Sequence, residues 1–137
     1  MSISPAKRWQ VFFIGFLVCA ILAFSYGANA TENLVTGKYA SSSGSEIILN
    51  LDIQNPAPRN LIVEQDLSSE NKIIATSPQA NKIDNTQGNV KWFFKNTKSG
   101  LLTLLIKLSD PLVGDISATV RYRSPQGGTL TELRITP

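Results

Sequence analysis

The 137-residue chain has no histidine and a single cysteine, and both scarcities narrow its chemistry. Without histidine, neither a Ser–His nor a Cys–His nucleophile can be assembled, and the commonest zinc ligand is missing. The cysteine, Cys19, stands in an apolar run near the N-terminus, so no disulfide can form within the remainder of the chain. A small secreted domain often relies on disulfides; without them, packing has to carry the stability, which roughly a hundred residues can do as one domain with little margin. No Asp-x-Asp-x-Asp loop for calcium occurs. These absences speak against an enzyme and against a metal or other cofactor.

What is present begins with the leader. Lys7 and Arg8 form a positive n-region, residues 11–24 are apolar, and Ala28-Asn29-Ala30 offers the small residues of a signal-peptidase site. That order is the layout of a secretory signal, whose apolar part runs to about 7–15 residues. Residues 9–28 are free of charge, which leaves an uncleaved anchor open, with Trp9 at the bilayer interface. Either way the rest of the chain is expected on the outer side of the membrane: secreted, at the cell surface, or on the periplasmic side of a Gram-negative envelope. Contact with a membrane would come only through an uncleaved leader.

The charge argument changes once the leader is set aside. Of 13 basic residues Lys7 and Arg8 belong to it, and all 10 acidic residues follow position 31, leaving 11 bases against 10 acids. A near-neutral charge balance gives no support for a nucleic-acid partner, which usually needs a clustered basic face. The division expected is a signal peptide over 1–30, a flexible arm and linker over 31–45, and one folded domain over 46–137. The arm assignment rests on the Ser/Gly-rich composition of residues 40–45.

From Glu46 the pattern has period two, as strands do. Ile47, Leu49, Leu51 and Ile53 alternate with Ile48, Asn50 and Asp52. Asn55-Pro56-Ala57-Pro58 ends that strand, because proline lacks the ladder donor. Further strands are expected over 60–67, 72–76, 90–95, 101–108, 115–123 and 129–136, with a polar loop over 77–89 and a hairpin connection at Pro125-Gln126-Gly127-Gly128. About seven strands and no amphipathic helix after the leader point to an all-β sandwich.

The segment Asn55-Pro56-Ala57-Pro58-Arg59-Asn60-Leu61-Ile62-Val63-Glu64-Gln65-Asp66-Leu67, followed by Gly88-Asn89-Val90-Lys91-Trp92 and then Ser99-Gly100-Leu101, resembles the Ig-like conserved-repeat domain of prokaryotic surface and secreted proteins. The similarity covers about residues 46–123. Ser68 stands where that family often has proline, and the motif occurs once rather than in tandem. The resemblance implies an extracellular Ig-like module and names no ligand. Related sandwiches serve as carbohydrate-binding, adhesive and fibre-forming units.

Three sets of residues are candidates for function. Asp66, Asp84, Asp110 and Asp115 could pair as hydrolytic carboxylates, but their positions at strand ends and in loops fit turn chemistry better. Thr31 would be N-terminal after cleavage, yet it opens a loose arm with no base beside it. The more informative set lies around Trp92. Val90, Trp92 and Phe94 should face the core, which turns Lys91, Phe93 and Lys95 outward, where Phe93 could stack on a sugar ring or grip a partner. Arg121 and Arg123 also point away from their strand's apolar face and, together with Lys91 and Lys95, could form a basic strip for an anionic polymer. The third set concerns assembly. Leu101 and Leu105 lie on the second face of an apolar strand, and an arm carrying Leu34, Val35 and Tyr39 could donate a strand to a neighbouring sheet edge. The reading expected from these observations is a non-catalytic structural or adhesive surface module that could self-assemble into filaments by strand donation from the arm. Its partners would be copies of itself or other envelope proteins. The alternative is a carbohydrate- or partner-binding module using the Phe93 face.

Overall fold

A computed structural model describes residues 33–137. The leader, Cys19 and Thr31 fall outside the described residues, and so does the expectation of a signal helix. Nine strands run in order: β1 Val35–Ser43, β2 Glu46–Ile53, β3 Asn60–Asp66, β4 Ile73–Ser77, β5 Lys82–Asp84, β6 Asn89–Lys95, β7 Gly100–Leu108, β8 Ser117–Tyr122 and β9 Thr131–Ile135. They form two antiparallel sheets, one ordered β1-β2-β7-β4 and the other β5-β6-β3-β8-β9. The sheets share one apolar layer, as in a β-sandwich.

Strict alternation builds that layer. On β2, Ile47, Leu49, Leu51 and Ile53 are buried, and the neighbouring β7 buries Leu104, Ile106 and Leu108. The facing sheet contributes Leu61 and Val63 from β3, Val90 and Trp92 from β6, and Ala118, Val120 and Tyr122 from β8. Trp92 is only 1% exposed. Burying an indole removes about 200 Å² from water, worth about 5 kcal/mol of transfer free energy. Its Nε1 donates to the Pro78 carbonyl at 2.8 Å, so the ring's polar edge is also satisfied.

Two strands exceed the seven expected. The stretch expected to be a flexible arm and linker is strand over Val35–Ser43: these residues form β1, which pairs with β2 from Val35↔Ile53 to Ser43↔Glu46. The serine-rich stretch expected to be a linker is strand over residues 40–43 and turn at Gly44 and Ser45. Gly44, at φ +70°, occupies the first central position of the two-residue turn to β2, where positive φ is required. Val35, Gly37 and Tyr39 alternate inward, and the register shifts between Tyr39 and Ser41. A Cβ on Gly37 would run into Ile135 of β9, so the first and last strands close together. The other addition, β5, lies in the segment expected to be a polar loop. It pairs with β6, and the Asn81 side chain prolongs that edge by accepting from the Phe93 amide at 2.7 Å.

Side-chain hydrogen bonds tie the layers where a disulfide cannot. Gln65, 1% exposed on β3, accepts from the Tyr39 hydroxyl of the other sheet at 2.8 Å and donates to the Ser117 carbonyl at 3.0 Å. Asn85, in the turn after β5, accepts from the Ile73 amide of β4 at 2.8 Å. Buried Asn71 donates to the Val113 carbonyl at 2.8 Å and accepts from the Val113 amide at 2.9 Å, joining two long connections.

Two outcomes follow. Gly88 has φ +68°, and a Cβ there would strike the Leu67 carbonyl oxygen and lie 2.9 Å from that of Ser68. Gly88→Ala should therefore destabilise the domain by about 1–3 kcal/mol in a urea melt, with the fold retained. The Tyr39 phenol is raised from 10.0 to about 12, chiefly by burial, against the opposing hydrogen bond to Gln65. A raised folded pKa means that the folded state holds this proton after the unfolded chain has lost it. Stability from this source is complete below pH 10 and declines as pH rises from 10 through about 12. Tyr39→Phe should flatten that part of the alkaline decline in melts recorded across the range, while losing about 1 kcal/mol at neutral pH because Gln65 loses a partner.

Candidate functional site

The outer face of the five-stranded sheet gathers every residue expected to form the aromatic and basic set. Strand β3 lies between β6 and β8, and the register places Ile62 opposite Phe93 on one side and Arg121 on the other. Glu132 of β9 stands opposite Arg121. One row across the sheet therefore reads Phe93, Ile62, Arg121, Glu132. In the next row inward, Glu64 sits opposite Lys91 and Thr119. Towards the sheet end, Asn60 faces Lys95, and Arg123 follows Tyr122 at the end of β8.

The charges are not an open basic strip. Arg121 donates through Nη1 to Glu64 at 3.0 Å and through Nε to Glu132 at 2.9 Å. Lys91 lies 3.7 Å from the same Glu64 oxygen. Burial pushes the Glu64 carboxyl up, but hydrogen bonds from Arg121 and Asn89 and the charges of Lys91 and Arg121 outweigh it, and the group sits below its ordinary value. The two carboxylates in turn hold the Arg121 guanidinium charged, Glu132 more than Glu64. The inner half of the face is thus a compensated ladder spanning four strands. Glu64 is the residue that sequence reasoning missed. Its outward position on β3 was legible from alternation, but its role depends on β3 lying between β6 and β8.

The outer half is different. Phe93 is 39% exposed and carries the Lys95 ammonium 5.7 Å from its ring centre. Phe93 and Ile62 form the floor of a cleft of about 520 Å³, walled by the connection from Ser124 to Leu130 and rimmed by Arg59, Arg121 and Arg123. Arg59 precedes β3, and its backbone carbonyl is held by the Thr97 amide at 3.2 Å. Neither Arg59 nor Arg123 has a carboxylate partner among the described residues. Arg59 and Leu130 were not among the expected site residues; they come from connections flanking the strands, which carry no periodic signal.

The residues expected to drive assembly fall elsewhere. Leu34 and Val35 are buried in the domain's own core, and Tyr39 is bonded to Gln65, so none of the three is free to enter a neighbouring sheet. Leu101 and Leu105 lie on the outer face of the four-stranded sheet, Leu101 at 70% exposure and Leu105 half-buried beside Ile48.

The aspartates take up local roles. Asp84 Oδ1 accepts from the Thr86 hydroxyl at 2.6 Å and from the Thr86 and Gln87 amides, and these bonds, the Thr86 hydroxyl first, lower its pKa. Asp66 accepts from Asn89 at 2.7 Å, and Asp110 from Ser109 at 2.9 Å. Among the described residues no cluster of three or more acidic or cysteine side chains could hold a metal ion.

Compared with known families, characterised proteins and solved structures, the chain shows no match.

Removing Arg121 tests the ladder. In Arg121→Ala the Glu64 carboxyl should titrate higher than in the parent, followed by side-chain carboxyl NMR. Because Glu64's folded pKa is depressed, its stabilisation is lost as pH falls through that value. The acid limb of the stability profile should therefore flatten in the variant, with a loss at neutral pH of about 1 kcal/mol or less.

Proposed function

We propose that the protein is a non-catalytic, extracellular Ig-like module that acts by binding a saccharide in the cleft on its five-stranded sheet. The observation that carries this reading is the cleft itself. An exposed aromatic ring and an aliphatic neighbour form its floor, and hydrogen-bonding arginines stand at its rim. A pyranose has one apolar face and a polar circumference, which is the complement of that arrangement.

The leader's layout supports export. The Ig-like assignment draws support from the way the motifs behind the family resemblance meet. The strand bearing Asn60 to Asp66 pairs along its whole length with the one bearing Val90 and Trp92. The Leu67 amide that ends the first motif donates to the Gly88 carbonyl of the second at 2.7 Å. Gly88 leaves room for that contact, and Val90 and Trp92 then point into the core. A structural and adhesive role is compatible with this reading, with adhesion arising from the cleft rather than from a donated strand.

Self-assembly has its own observation, the exposed Leu101 and Ile74 of the four-stranded sheet. One experiment separates the two. In native electrophoresis through gels containing polysaccharide, the protein should be retarded. Phe93→Ala should weaken that retardation by about three- to tenfold in apparent affinity, and Leu101→Ser should leave it unchanged. Equal retardation of Phe93→Ala and the parent would remove the cleft from the account. No retardation, together with a mass that rises with concentration and falls back in Leu101→Ser, would establish assembly instead.

A further inference from the structure

The charge around the cleft is uneven in a way that selects among saccharides. Three arginines line it and no carboxylate does. Basic and acidic residues are nearly balanced over the domain, so this is a local excess. The other large cleft, at the opposite end of β3, shows the contrast: Asp66 and Asp115 line it together with Arg134. Within the Phe93 cleft the arginines are unequal. Arg121 is saturated by Glu64 and Glu132. Arg59 and Arg123 are exposed and unpaired among the described residues, and Lys95 has only the Phe93 ring. A guanidinium presents its donors in a planar fork that matches a carboxylate with two parallel hydrogen bonds. Leaving two such forks without acceptors at the mouth of a cleft gives no gain in folding stability.

The placement also suits a chain-like ligand. Asn60 of β3 faces Lys95 of β6, and on the other side of β3 Leu61 faces Tyr122, the last residue of β8, which Arg123 follows. Lys95 and Arg123 therefore flank the same end of β3 from opposite sides, on the order of 10 Å apart across two strand spacings. Phe93 and Ile62 lie one row inward, beneath the path between them. Leu130, 51% exposed, lines the same cleft.

We infer that the cleft takes an acidic polysaccharide, one built from uronic acid residues. Its carboxylates meet Arg59 and Arg123, and a pyranose face lies on Phe93. This rests on the saccharide-binding reading above and adds the charge of the ligand. Arg121 stays on its carboxylates and fixes the floor. Lys95, whose ammonium lies over the Phe93 ring, contributes long-range attraction there.

The test is binding of the purified protein to oligogalacturonate, to a neutral galactose oligomer of the same length and to single-stranded DNA, by isothermal calorimetry at low and at physiological salt. Oligogalacturonate should bind, more weakly as salt rises, and the other two should not. Arg59→Gln and Arg123→Gln should each weaken binding by about tenfold. Both side chains are exposed, so the thermal melts should match the parent and show that the fold is kept. Glu132→Gln frees part of Arg121 and should tighten binding or leave it unchanged. Binding of the neutral oligomer as strong as that of the acidic one, lost in Phe93→Ala but indifferent to the arginine variants, would overturn the inference and keep the saccharide reading. Equal binding of DNA would show a non-selective cationic rim and overturn it as well. Absence of binding to either saccharide would overturn both.

Discussion

The domain depends on one apolar layer between two sheets that no covalent bond holds together. Trp92, Leu61, Val63 and Val120 face Leu49, Leu51, Leu104 and Ile106, all of them almost wholly withdrawn from water. Such a layer is non-directional: it favours contact between sheets without fixing how they slide. Direction comes from side-chain amides and one indole. Gln65 accepts from Tyr39 across the layer, Asn85 grips the first residue of β4, Asn71 clasps Val113, and Trp92 reaches the carbonyl of Pro78. Each links segments far apart in sequence, and each would leave a buried polar group unsatisfied if the sheets shifted. No buried side-chain nitrogen or oxygen among the described residues lacks a partner.

That constraint also fixes the site. Period-two geometry means that whatever locks one face of a strand orients the other. Trp92 held inward leaves Phe93 outward; Leu61 and Val63 held inward leave Ile62 and Glu64 outward; Val120 and Tyr122 do the same for Arg121. The outer face of the five-stranded sheet is thus a rigid platform assembled from β3, β6 and β8. Glu64 at its centre draws in Lys91 and Arg121, which confines the unpaired cations to the sheet end. A preorganised face of this kind loses little freedom on binding.

The sequence made the long alternating strands legible and left the short or serine-rich ones obscure. β2 and β8 could be read because their apolar residues recur at every second position. β1 could not: Thr36, Lys38, Ser41, Ser42 and Ser43 have the composition of a linker, and Gly37 is small because Ile135 occupies the space beside it, a reason visible only in three dimensions. β5 is only three residues long, too short for any period. Lys91, Phe93, Lys95, Arg121 and Arg123 were correctly placed on outward positions by alternation alone. Their division into paired and unpaired groups was not legible, because sheet order decides which strand brings a carboxylate between them. Arg59 and Leu130 joined the cleft through irregular connections, where local pattern says nothing about direction.

A domain completed by its own first strand does not have that strand to lend, so the function proposed for it rests on the sheet face and not on Val35–Ser43. Hydrogen–deuterium exchange of the purified protein, resolved to single amides by NMR, tests that claim most directly. The account predicts that the alternate amides of β1 that face β2 exchange as slowly as those of β2 itself, as expected for strands sharing one core. Unprotected amides throughout Val35–Ser43, with protection retained from Glu46 onward, would contradict it and return those residues to the status of a free arm.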